Sequence, residues 1–103
     1  MARGSIPPAF YASVASSLPV LMLSGELDAA TPADSGTAAA RSLPNSRQIL
    51  IRKTAHGYFD DCLRDLISDF LVKASARDLD TQCLQALRRP PFVTELPPLR
   101  TPQ

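Results

Sequence analysis

The stretch Leu18-Pro19-Val20-Leu21-Met22-Leu23-Ser24-Gly25-Glu26-Leu27-Asp28 constrains the fold of this chain more than any other. Val20 to Leu23 is an apolar run without polar alternation, the pattern of a strand covered on both faces in a parallel sheet. A buried helix has a similar composition, but the run is short, Pro19 keeps Leu18 out of the helical region, and Gly25 follows closely. Such a strand would deliver Asp28 into a loop punctuated by Gly25 and Pro32.

The next segments extend this into a unit. Thr31 before Pro32 reads as an N-cap with proline at the first helical position, so a helix is expected over Ala33 to Leu43 and stopped by Pro44-Asn45. Gly36 weakens it by about 1 kcal/mol relative to alanine. Gln48-Ile49-Leu50-Ile51, flanked by Arg47 and Arg52, is the second strand, and strand, helix, strand is a βαβ unit with a right-handed crossover. Lys53 to Phe59 forms a loop carrying the only histidine, His56. After Asp60-Asp61, the residues Cys62, Leu63, Leu66, Ile67, Phe70 and Leu71 recur at three- and four-residue spacing, the mark of an amphipathic helix with acidic residues in its first turn. Ala74 to Asp80 reads as a linker, Thr81 to Leu87 as a short helix, and the remainder as an extended proline-rich tail in which Arg88-Arg89 is a solvated face. Met1 to Ser17, with Pro7-Pro8, suits an irregular approach segment in which Phe10 or Tyr11 packs on a neighbour. The expected class is α/β, a strand-helix-strand-helix core over residues 18–73 with a parallel pair of strands, between an approach segment (1–17) and a linker, short helix and tail (74–103).

Charge and composition exclude several functions. With 11 Lys and Arg against 10 Asp and Glu, the net charge of +1 gives no overall field for nucleic acid or a membrane surface. A membrane span needs about 20 predominantly apolar residues, more than any run here supplies. Pro7-Pro8 interrupts the place of a signal-peptide apolar core, so no signal peptide is expected. Cys62 and Cys83 lack the close Cys and His company of a zinc site, leaving one bridge or two buried thiols, and no metal or cofactor is expected.

The chemistry concentrates at Asp28 and His56. Each follows an apolar run by a few residues, and in open α/β sheets functional groups collect at the carboxyl ends of strands. A carboxylate beside imidazole fixes its tautomer and stabilises the imidazolium formed when the ring takes a proton from serine. Either residue taken alone is more often a turn cap or a loop histidine. No serine lies in a Gly-x-Ser-x-Gly frame, and Ser24 reads as structural.

The strings Pro19 to Asp28, Thr31-Pro32, Leu43-Pro44-Asn45-Ser46-Arg47 and His56-Gly57 resemble the C-terminal part of α/β-hydrolases. Leu79-Asp80-Thr81-Gln82-Cys83-Leu84 and Arg89-Pro90-Pro91-Phe92 narrow the resemblance to the C-terminal domain of tripeptidyl aminopeptidase-like hydrolases, relatives of proline iminopeptidase, over roughly residues 8–93. The resemblance implies that Asp28 and His56 are triad members and that Cys62 and Cys83 form a disulfide in an exported or cell-envelope protein. Family members usually carry a glycine shortly before the histidine, whereas this chain has Lys53-Thr54-Ala55. Because the triad runs Ser, Asp, His in this fold, the nucleophile would belong to an upstream hydrolase segment. The function implied is that of a C-terminal piece of a serine hydrolase of aminopeptidase type, acting on a peptide or small amide or ester. In isolation the chain would lack triad-dependent turnover. The alternative is a non-catalytic remnant or association module of the same fold.

Overall fold

The computed structural model describes residues 4–102. The apolar run forms β1 (Val20–Gly25), which continues past Leu23 because Ser24 and Gly25 still pair with the neighbouring strand. That neighbour, β2 (Ser46–Ile51), starts ahead of the expected Gln48 because Ser46 and Arg47 pair with Val20 and Leu21. The strands are parallel, in register from Val20 opposite Ser46 to Gly25 opposite Ile51. Among the described residues they form a two-stranded sheet, so both carboxyl ends finish at one edge.

Helix α1 (Ala33–Ala40) makes the crossover, begins at the expected Ala33 and ends three residues short of the expected Leu43. Thr31 does not cap it; Pro32 holds the N-cap position, with no side-chain cap bond, and the Thr31 hydroxyl turns to Asp28 instead. At the other end the amides of Arg41, Ser42 and Leu43 bond back three residues, to Ala38, Ala39 and Ala40. This tighter winding precedes Pro44, which restricts Leu43 and brings no amide hydrogen to continue the helix.

Helix α2 (Asp61–Lys73) matches its sequence pattern. Asp60 caps it, Oδ1 accepting the Leu63 amide at 2.9 Å, and Ala74 ends it in the left-handed region at φ 50°. Leu63 and Leu66 are buried and Phe70 packs on the core, but Leu71 is 70% exposed although it shares the spacing of the apolar stripe. One strand pair is too narrow to cover a stripe that includes Leu71.

The core lies on one sheet face, where Ile49, Leu66 and Leu79 meet Leu21, Leu23, Phe70 and Leu84. The opposite face is covered by α1: the Gln48 amide donates to the Ala33 carbonyl at 2.7 Å and to Ser24 Oγ at 3.0 Å. Cover on this face is partial: Leu50 is exposed, and β1 is half-buried rather than buried along its length. The linker after α2 is not slack. Ala76 and Leu79 are buried, and Arg47 Nη1 holds the carbonyls of Ala76 and Arg77 at 3.3 and 3.1 Å. A short 3-10 turn, Gln82–Ala86, follows in place of the expected helix, joined to α2 by a Cys62–Cys83 disulfide.

Of the expected approach segment, residues 1–3 lie outside the described residues. Pro8–Tyr11 is a single 3-10 turn in which Phe10 and Tyr11 meet edge to face at 5.5 Å. Both rings are 73% exposed, so the expected packing on a neighbour occurs only between the two. Asn45 and Ser42 tether the following residues, Asn45 Nδ2 donating to the Ser17 carbonyl at 2.6 Å and Ser16 donating its amide to the Ser42 carbonyl at 3.3 Å.

Candidate active site

The loops leaving β1 and β2 are fastened to each other before either reaches its polar residue. The amide of Glu26 donates to the Ile51 carbonyl at 3.0 Å, and that of Leu27 to the Thr54 carbonyl at 2.8 Å. Glu26 Oε2 accepts the Lys53 amide at 3.2 Å. Lys53 has φ 60°, the left-handed conformation that glycine adopts without strain, and the Glu26 carboxylate holds it there. Thr54 is buried, its hydroxyl donating to the Ile51 carbonyl at 2.9 Å. Lys53-Thr54-Ala55, where the family pattern carries a glycine, thus forms a determinate turn.

Asp28 ends the first loop as an Asx turn. Its Oδ1 accepts the amides of Ala30 and Thr31, both at 2.9 Å, and its Oδ2 accepts the Thr31 hydroxyl at 2.9 Å. Oδ2 also lies 3.0 Å from His56 Nδ1. The side chain is only 7% exposed, and its pKa is lowered from 3.8 to about 2. The amide of Thr31 is the largest cause; burial opposes the shift, and the bonds from His56, the Thr31 hydroxyl and the Ala30 amide add to it. At neutral pH the carboxylate is charged and accepts only, so His56 carries its proton on Nδ1.

Thr31 is the residue that sequence reasoning placed elsewhere. Its one hydroxyl hydrogen points to Asp28, so the oxygen presents a lone pair to His56 Nδ1, 3.1 Å away. The Nδ1–H is shared between two acceptors, fixing the ring plane as well as its tautomer. The spacing Asp28-x-x-Thr31 is the available signal, since an aspartate bonding two and three residues ahead forms an Asx turn as readily as a threonine before proline forms a cap.

Among the described residues, both hydrogen bonds of the imidazole are made at Nδ1, and the side chain is 64% exposed. Nε2 is free to accept a proton from a group brought to it. Gly57, at φ 72°, turns the chain away, and the Tyr58 hydroxyl donates to Asp60 Oδ2 at 2.8 Å, tying the end of the loop to the α2 cap. That bond raises the Tyr58 pKa by holding the phenolic proton. The hollow at Asp28 and His56 is about 160 Å3, whereas a larger hollow, about 640 Å3, lies along β2 away from the pair. Size does not mark the site; the convergence of polar groups does.

A parallel βαβ unit with an aspartate after its first strand and a histidine hydrogen-bonded to it after its second is a partial α/β fold that brings a carboxylate and an imidazole to one sheet edge. Residues 3–83 match the family model described as TAP-like protein, and the chain belongs to this family of tripeptidyl aminopeptidase-like α/β-hydrolase C-terminal domains. Arg89-Pro90-Pro91-Phe92, read as part of the resemblance, lies beyond the matched residues. No curated protein and no solved structure matches the chain.

Proposed function

We propose that this chain supplies the general base and its orienting acid to a serine hydrolase of aminopeptidase type, with the nucleophilic serine provided by an upstream hydrolase segment. The observation that carries the reading is the Asp28 Oδ2–His56 Nδ1 bond of 3.0 Å on a ring whose Nε2 remains open. His56 Nε2 takes the proton from the serine hydroxyl as its oxygen attacks the carbonyl carbon of a peptide, amide or ester. Asp28 stabilises the imidazolium, and Nε2 returns the proton to the leaving group as the carbonyl–leaving-group bond breaks. Water then hydrolyses the acyl-enzyme by the same route, and no cofactor enters.

The chain exposes 8893 Å2, more than the about 5,700 Å2 of a compact protein of 11.1 kDa, because residues 4–17 and the proline-rich tail run exposed beside the core. The disulfide supports an exported or cell-envelope setting, where such bridges persist.

The test joins or mixes the chain with an upstream hydrolase segment bearing Gly-x-Ser-x-Gly and measures turnover of aminoacyl amides. Activity that appears only with both parts, and falls about 10⁶-fold on His56→Ala, is the expected result. Turnover indifferent to His56→Ala would falsify the assignment. Stable self-association of the chain without rescue of activity supports the association-module reading, which the exposed rings of Phe10 and Tyr11 favour.

A further inference from the structure

Four of the chain's cations gather on a cavity behind the His56 loop. Arg52 and Lys53, at the end of β2, and Arg88 and Arg89, in the tail, line a hollow of about 210 Å3. The fold, not the sequence order, brings these two pairs together. None of the four side chains has an ion-pair or hydrogen-bond partner among the described residues. Other cations are engaged: Arg64 and Lys73 pair with aspartates, and Arg47 and Arg77 hydrogen-bond to carbonyl oxygens and to Asn45. Glu26 touches this wall through the Lys53 amide.

The rest of the lining decides what kind of anion fits. Ala55, Leu87 and Pro90 give the cavity an apolar floor, and Tyr58 turns its hydroxyl to Asp60. Arginine presents a planar fork of donors that matches a carboxylate with two parallel hydrogen bonds. An apolar floor beneath such donors suits a carboxylate attached to a hydrocarbon group better than a bare, fully hydrated anion. Thr54, Ala55 and Tyr58 line both this cavity and the hollow at Asp28 and His56, so an occupant would lie against the loop that carries the histidine.

We propose that this cavity binds an organic carboxylate with an apolar substituent, of the kind a peptide presents at its C-terminus. The site is independent of the triad reading, because binding is measured without turnover. In the experiment the 103-residue chain is titrated at low ionic strength with N-acetyl-leucine, N-acetyl-leucinamide and inorganic phosphate, while amide NMR shifts are followed. N-acetyl-leucine is expected to move the resonances of residues 52–58 and 87–89 and to bind roughly tenfold or more tightly than its amide. Arg88→Ala with Arg89→Ala should weaken it by a similar factor, whereas Arg100→Ala, which removes an exposed tail cation outside the cavity, should not. Equal affinity for acid and amide, tighter binding of phosphate, or equal loss from Arg100→Ala overturns the proposal. So does a shift map confined to other residues. Since Arg88 and Arg89 lie in the exposed tail, their loss leaves the core intact, and unchanged resonances of Ile49 and Leu66 would verify it.

Discussion

Gly25 lies so close to Ala55 that a Cβ on the glycine would stand 2.7 Å from the Ala55 carbonyl oxygen and 3.0 Å from that of Thr54. Both obstacles are backbone, one residue and two residues before His56, so they cannot rotate aside. The end of β1 and the start of the histidine loop are in contact only because the strand ends without a side chain. This contact lets Leu27 bond Thr54 and so brings Asp28 level with the imidazole.

Gly25→Ala should therefore push the histidine loop away from β1. The expected cost is about 1–3 kcal/mol, the usual range for an extra methyl group forced into a close contact. Urea unfolding measures it, and NMR should show the His56 ring losing its hydrogen bond to Asp28. An unchanged midpoint with an unchanged ring resonance would mean that the loop yields freely.

The low pKa of Asp28 predicts how acid acts on the fold. A carboxyl that titrates at about 2 when folded and at its ordinary 3.8 when unfolded binds more protons in the unfolded chain between those values. Stability contributed by Asp28 is thus fully present above 3.8 and is lost as the pH falls toward 2. Asp28→Asn should flatten this part of the stability profile. Thr31→Val removes the hydroxyl donor but keeps the Thr31-position amide, the larger cause, so it should raise the Asp28 pKa only part of the way back. Carboxyl NMR titration reads both values, and an unmoved pKa in Thr31→Val would contradict the hydroxyl's role.

Reduction of the Cys62–Cys83 bridge, which joins residues 21 apart, should cost about 3 kcal/mol through the entropy regained by the unfolded chain. The urea midpoint with and without reductant measures the effect. The same reduction should loosen the turn at Gln82–Ala86 and leave α2 capped by Asp60.

The sequence carried the frame of this protein because its strongest signals are local. The run Val20 to Leu23, the spacing of Leu63, Leu66 and Phe70, and Asp60 before the helix each specify an element through neighbouring residues, and each element formed. The family resemblance was legible for a similar reason: it lies in ordered strings along the chain, and the family match covers residues 3–83. The candidate pair was readable as two residues after two strands, though not as a contact.

Tertiary structure decided what depends on residues distant in sequence. Thr31 had two local uses, cap or partner to Asp28, and His56 arriving 25 positions later gives the second a further hydrogen bond that a cap could not make. The depth to which the linker is buried follows from Arg47 reaching across 29 residues to the Ala76 carbonyl. Leu71 kept its apolar spacing yet stayed exposed, because the width of the sheet it would have covered is not written in the helix. Sequence by itself determined the elements, since propensity, capping and periodicity act within a few residues; only the packed chain determined which polar groups meet, since a hydrogen bond between loops depends on where the whole sheet places their ends.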